Sequence, residues 1–238
     1  MDKHSIEGTL RQFISGSMNK MFTSIPAVIT AVSDLGEQRI DVRILIDRVN
    51  PAGDTEPHPI ILNVPLMFPS SRSSMFSFPV NVGDDVLLVF SQRSLDRLKM
   101  STGATNMPPK NYRKYSRNDA VALPGFFSFS EARNNPDKRR WNHSTEDMVM
   151  THNIGTAQEA EVRIKPSGDV VVNTQGSVTI NCSNATINSD STTINGNTSV
   201  NGNLDVSGGS MTHNGKNVGS DHTHSGVETG SGNTKGPN

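Results

Sequence analysis

Residues 168–224 read GDVVVNTQGSVTINCSNATINSDSTTINGNTSVNGNLDVSGGSMTHNGKNVGSDHTH, and how this stretch is read decides the fold. Short pairs at i and i+2 recur through it: Val170/Val172, Val178/Ile180, Ala185/Ile187, Thr192/Ile194, Thr198/Val200 and Leu204/Val206. In a strand, i and i+2 point to the same side, and the Asn, Ser, Thr and Gly between the pairs are turn residues. The interval between pairs shrinks from about eight residues to about six or seven, so the repeat describes a coil that narrows as it climbs. The expectation is a tapering β-helix. Two small side chains per turn enclose almost no volume in one chain, so such a coil needs partner chains to bury its stripe.

The rest of the chain has a different character. Most of the large apolar residues lie before residue 150 of the 238, so two architectures share the sequence. A formal net charge of -1 gives no global attraction to nucleic acid or anionic lipid. Locally, eleven Lys or Arg stand against four acids between Arg93 and Arg140, read here as a solvated or partner-docking face. The single cysteine, Cys182, rules out an intrachain disulfide framework and is expected to be a buried thiol at a strand position. Residues 1–20 lack the continuous apolar core of a secretory signal, and no run of about 18 apolar residues follows. A protein made in a cytoplasm is expected.

Ile6, Leu10, Phe13, Ile14, Met18 and Met21 recur at spacings of three and four, which predicts an amphipathic helix over about residues 4–22. It either packs on its own domain or docks into a larger assembly. From Ile25 the pattern becomes alternation: 25–32, 39–46, 60–68 and 76–90, with a turn at Asp34-Leu35-Gly36, a loop over 50–59, and Gly83-Asp84 as a turn within the last stretch that feeds its most apolar strand. Four or five strands in about 70 residues fit a small closed barrel, with the OB-fold as the commonest five-stranded solution. Between about Lys99 and Gly155 periodicity is lost, with Pro108-Pro109, Pro124-Gly125 and Asn134-Asn135-Pro136 as breakers. Phe126-Phe127-Ser128-Phe129 is expected to be a short strand or an anchor against the barrel. Alternation resumes at Glu161, with Ser167-Gly168 as the first tight turn.

Val82-Gly83-Asp84-Asp85-Val86-Leu87-Leu88-Val89-Phe90-Ser91-Gln92-Arg93-Ser94-Leu95-Asp96, then Asn118-Asp119-Ala120-Val121-Ala122-Leu123-Pro124-Gly125, then the polar repeat ending in His222-Thr223-His224, resemble the central baseplate spikes of contractile-tailed bacteriophages. These are the short, V-type membrane-piercing spikes. The resemblance implies an all-β homotrimer: an OB-fold base, an intertwined three-chain β-helix, and an apex where three His-x-His copies hold an iron ion. It also implies a non-enzymatic virion protein at the tip of the tail baseplate, held by a hub protein and aimed at the host outer membrane, with no nucleic acid or small-molecule substrate. The corresponding divisions are a helix over 1–24, a barrel over 25–99, a collar over 100–158, the β-helix over 159–212 and the apex over 213–238. Tyr112-Arg113-Lys114-Tyr115-Ser116-Arg117 is more basic than that pattern.

His222 and His224 are the candidate metal ligands. On an extended strand their imidazoles face one way, and a threefold axis beside the strand would gather six nitrogens. Six suit an octahedral ion such as ferrous iron or another transition metal, whereas tetrahedral zinc would leave two unused. Such a site is structural, tying three fraying chain ends into one point. His213 is expected to pack or turn at the start of the apex, with a second ligand layer as the alternative, and His4, His58, His143 and His152 have no partner at ligand spacing. Two other functions compete. An OB barrel with basic residues, Tyr112, Tyr115 and Trp141 is compatible with single-stranded nucleic acid, but that leaves the repeat and the His pair without a role. A glycan-cleaving tailspike needs paired carboxylates, and Asp169, Asp190 and Asp205 are not paired in sequence.

Overall fold

The computed structural model describes residues 6–50, 52–103, 105–220, 222–223, 226 and 230. The chain divides into two units, Met1–Val178 and Thr179–Asn238, each described by itself.

The first unit opens with α1 (Ile6–Met18), whose Arg11 and Glu7 pair across one turn at 2.8 Å. None of its residues is buried. Ile6, Leu10, Phe13, Ile14 and Met18 all face solvent, so the helix is amphipathic as its spacing required but does not pack on its own domain.

The main sheet is built from β1 (Ser24–Asp34), β2 (Arg39–Ile44), β5 (Ile61–Pro65), β6 (Asp85–Phe90) and β7 (Ala120–Pro124). Between β2 and β5 lies a small ladder of β3 (Arg48–Val49) and β4 (Thr55–Glu56), closed by an Arg48–Glu56 pair at 3.1 Å. The order is β5-β2-β1-β6-β7, every neighbouring pair antiparallel. β1 shifts register twice along β2, after Ile29 and after Val32; such bulges bend a strand and raise its twist. The sheet curls until its edges touch: Leu66, one residue past β5, bridges Ala122 of β7 in parallel, and Met67 N–H donates to Ala122 O at 2.9 Å.

Alternation fills the concave side. Ala27 and Ile29, then Ile40, Val42 and Ile44, then Val86, Leu88 and Phe90, then Ala120 and Ala122 form one buried cluster with Ile61, Val64, Leu66, Phe68 and Val80. Burying each of the larger side chains contributes about 1.5–3 kcal/mol. The alternation breaks on β5, where Ile61 and Val64 are three apart and both buried. Asn63 between them takes a positive φ of 56°, and its N–H donates to Asp41 Oδ1 at 2.9 Å, so a local twist restores the inward direction. The Asn81–Asp84 turn that launches β6 depends on Gly83, whose φ of 96° is open to glycine and strained for other residues.

After β7 the chain runs through 3-10 turns at Phe129–Glu131 and Pro136–Lys138. Phe126 to Phe129 is neither strand nor anchor: Phe129 is fully exposed, and the Phe127 ring lies under the Arg133 guanidinium at 5.1 Å. Next comes a three-stranded antiparallel sheet of β8 (Met148–His152), β9 (Ala160–Ile164) and β10 (Val170–Asn173), with β9 central. The alternation from Glu161 is that of β9 and β10 in this sheet. The expected turn before β10 is present, with Gly168 at φ 88° and its N–H donating to Lys165 O at 2.8 Å. Irregular chain is tied to this sheet by the buried Glu159, whose Oε2 accepts from Arg140 N at 3.1 Å and from Gly155 N.

In the second unit the described regular structure is one hairpin, β11 (Thr212–His213) with β12 (Lys216–Asn217). Asn214 and Gly215 form its turn, both at positive φ (49° and 76°), as a two-residue hairpin of this type requires. No helix of the described residues is long and apolar enough to cross a membrane.

Candidate functional site

The polar repeat is where the sequence concentrates its unusual features. Between Thr179 and Ser210 the described residues form no helix, no strand and no backbone–backbone hydrogen bond. Val178, Ile180, Ile187, Ile194, Val200, Leu204 and Val206 are between 54% and 77% exposed in the single chain. Backbone N–H and C=O groups are obligatory hydrogen-bonding groups that folded proteins almost always pair, and a regular apolar stripe of this length marks a contact surface. Cys182 is exposed in the single chain, not buried as its strand position suggested.

His213 is the last residue of β11, directly before the Asn214-Gly215 turn, with its Nε2 at 3.2 Å from Asn214 Nδ2. His222 places Nδ1 at 2.6 Å from Gly219 O, and its own N–H donates to the same carbonyl at 3.2 Å. A carbonyl oxygen only accepts, so Nδ1 is the donor in this contact. Metal-ligating imidazoles commonly have one nitrogen fixed on a carbonyl and the other facing the ion, so the donor chemistry of His222 fits a metal ligand. His224 lies outside the described residues, as does Asp221. Among the described residues, no three His, Cys, Asp or Glu side chains come together in one chain.

In the first unit the basic stretch has a contact that spacing did not reveal. Arg113 donates from Nε to Asp119 Oδ2 at 2.6 Å and from Nη2 to Asp119 Oδ1 at 2.7 Å. Its Nη1 and Nη2 also reach Asp96 Oδ2 and Oδ1 at 3.0 and 2.6 Å. Asp119 is fully buried at the head of β7 and accepts from Leu95 N at 2.8 Å as well. Burial pushes its carboxyl up, but the Arg113 hydrogen bonds and the Leu95 N–H outweigh that and hold it below the ordinary range. Asp96 is held down chiefly by its hydrogen bonds to Arg113. Lys99, half in the same cluster, has its ammonium disfavoured by burial. This is a structural clamp joining α2 (Asp96–Lys99), the segment around residue 113 and β7.

His58 and His143 are buried. His58 packs edge-on against Phe22 at 6.1 Å, and burial, then Arg48 and Arg117, push its pKa down. His143 Nε2 lies 3.4 Å from Asn134 Oδ1.

These features define an all-β protein in which a curled five-stranded sheet precedes a segment whose backbone and apolar side chains are uncovered. Residues 25–125 match the family model described as the phage protein Gp138 N-terminal domain, and this indicates a phage protein. The matched span runs from the second residue of β1 to one residue beyond β7 and so takes in all five strands of the curled sheet but for Ser24. No curated protein matches the chain.

Proposed function

We propose that this chain is the central spike of a phage tail baseplate, a homotrimer that pierces the host outer membrane mechanically when the sheath contracts. The observation that carries the reading is the 179–210 segment, with exposed apolar residues recurring at a shortening interval and no backbone–backbone hydrogen bonds of its own. Intertwining three copies supplies both deficits at once, since strands of neighbouring chains pair the backbone and the i, i+2 side chains meet on the shared axis. The falling interval between pairs makes that coil a point. The base is read as an OB barrel, because the order β5-β2-β1-β6-β7 with a parallel contact between the edge strands is a five-stranded closure. The match to a phage domain over that span supports the setting. In this reading a baseplate hub holds the barrel, and the protein acts as part of the virion without catalysis.

At the apex, His222 and His224 from each copy would hold an iron ion. The ion supplies a cross-link between chain ends, and the Gly219 carbonyl fixes the His222 ring for it.

The test is the mass of the full chain in solution together with elemental analysis. One metal ion per three chains is expected. Ile187→Asp with Ile194→Asp, which would bury three carboxylates per layer on the axis, is expected to abolish the trimer. His222→Ala with His224→Ala is expected to lose the metal and keep the trimer, because the stacked Val and Ile layers hold it. A monomeric wild-type protein would refute the spike, and a metal-free trimer would refute the apex.

A further inference from the structure

The clamp described above holds one wall of a groove of about 630 Å³ whose lining includes Arg93, Leu95, Arg97, Leu98, Pro108 and Tyr112. α2 forms that wall and cannot easily move, because Asp96 and Leu95 are both bonded into the Arg113–Asp119 cluster. Facing residues include Pro108-Pro109, whose φ angles are fixed by their rings. Two features of the lining stand out. Among the described residues, the guanidinium groups of Arg93 and Arg97 make no ion pair and no hydrogen bond, while Asp96 beside them is already engaged by Arg113. In the same lining, Leu98 is half exposed and Tyr112 is 92% exposed.

We propose that this groove is a docking site for an extended acidic segment of another protein, carrying one apolar side chain between its carboxylates. Each guanidinium offers a planar fork of donors that matches a carboxylate, and both forks are uncommitted. Leu98, Pro108 and the Tyr112 ring give the apolar residue a surface, and Tyr and Arg are the residue types that anchor protein interfaces. The volume lies in the range of a small-ligand site, roughly 300–1,000 Å³, so it takes a loop or terminus of the partner and not a folded face. Single-stranded nucleic acid fits less well, because such sites stack successive bases on several aromatic rings and Tyr112 is the one aromatic side chain lining this groove. The site belongs to the first unit and does not depend on the trimeric reading of the tail.

The experiment is selection from a random peptide library on the immobilised full-length protein, followed by titration of the recovered peptides. Enrichment of Asp and Glu around one apolar residue is expected, with binding that weakens as salt is raised. Arg93→Ala with Arg97→Ala should weaken the recovered peptides at least about tenfold, as expected for lost charge-assisted hydrogen bonds. Tyr112→Ala, whose exposed ring can be removed without disturbing the core, should weaken them as well and carries the test if the double variant melts early. Recovery of basic peptides, no enrichment, or affinities indifferent to these substitutions overturns the proposal. So does oligothymidylate that binds through Arg93 and Arg97 and displaces the peptides.

Discussion

Replacing Arg113 by Ala tests whether the charged cluster holds α2 and β7 together. Asp119 has no exposed side-chain surface and takes two hydrogen bonds from Arg113 and one from Leu95. Removing one partner of a buried pair costs about 3–5 kcal/mol, because the remaining charge stays buried. The Arg113 side chain is 27% exposed and the Leu95 N–H survives the substitution, so the lower end, about 3 kcal/mol, applies. The Asp96 arm is 30% exposed and adds less than about 1 kcal/mol. For a unit of this size each kcal/mol shifts the melting temperature by roughly 2–4 °C, giving a fall of roughly 6–12 °C. The pH dependence separates this account from a loss of packing. Asp96 and Asp119 are depressed in the folded state, so their stabilisation is present above the unfolded value of about 3.9 and is lost as pH falls through the folded values. In the variant, burial acts on Asp119 without the arginine, so acidification relieves a penalty. The gap between wild type and Arg113→Ala should therefore narrow from pH 7 towards pH 3, measured by calorimetry or circular dichroism. A melting temperature within about 2 °C of wild type at neutral pH, or a gap that stays constant with pH, would refute the reasoning.

Gly155→Ala should destabilise the β8–β9 connection by about 1–3 kcal/mol, because its φ is +74° and a Cβ would lie 2.7 Å from Lys138 O; thermal melting checks it. His58 is held neutral by burial, so the fold loses stability as pH falls below the unfolded histidine value of about 6.5 towards the lower folded one. His58→Leu should flatten that part of the stability profile, and an unchanged slope between pH 7 and pH 5 would contradict it.

Strand positions in the curled sheet were legible because one face of each strand had to be buried. Of the i, i+2 apolar residues of 39–46 and 82–90 the core contains Ile40, Val42 and Ile44 with Val86, Leu88 and Phe90, while Ile46 and Val82 at the span ends stay exposed. Gly83 was legible as a turn for the related reason that its backbone demands a residue without a Cβ. β8 was not legible: Met148 to His152 alternates only weakly, and its pairing with β9 depends on a loop closure that no local pattern reports. The β11–β12 hairpin did have a signal, the Asn214-Gly215 dipeptide, which is among the strongest short-range marks of a tight turn. The His222 ring orientation depends on a carbonyl three residues away, and a sequence does not say where a carbonyl points.

The sequence by itself determined the two characters of the chain. Hydrophobic periodicity is a local property, and it separates a half-buried sheet from a polar repeat with a narrowing interval wherever the chain folds. Tertiary structure decided what the charges do. Eleven basic residues between Arg93 and Arg140 looked alike in sequence, yet Arg113 is committed to two carboxylates while Arg93 and Arg97 are left on the lip of a groove. The physical reason is that an ion pair forms between side chains brought within a few ångströms by the path of the backbone. That path joins Asp96, Arg113 and Asp119 only after β6 and β7 have paired. The tail is the opposite case. Its single chain leaves Ile180, Ile187 and Ile194 uncovered, so the pattern that was legible from the start finds no burial within the chain, and the proposed trimer is the reading that would supply it.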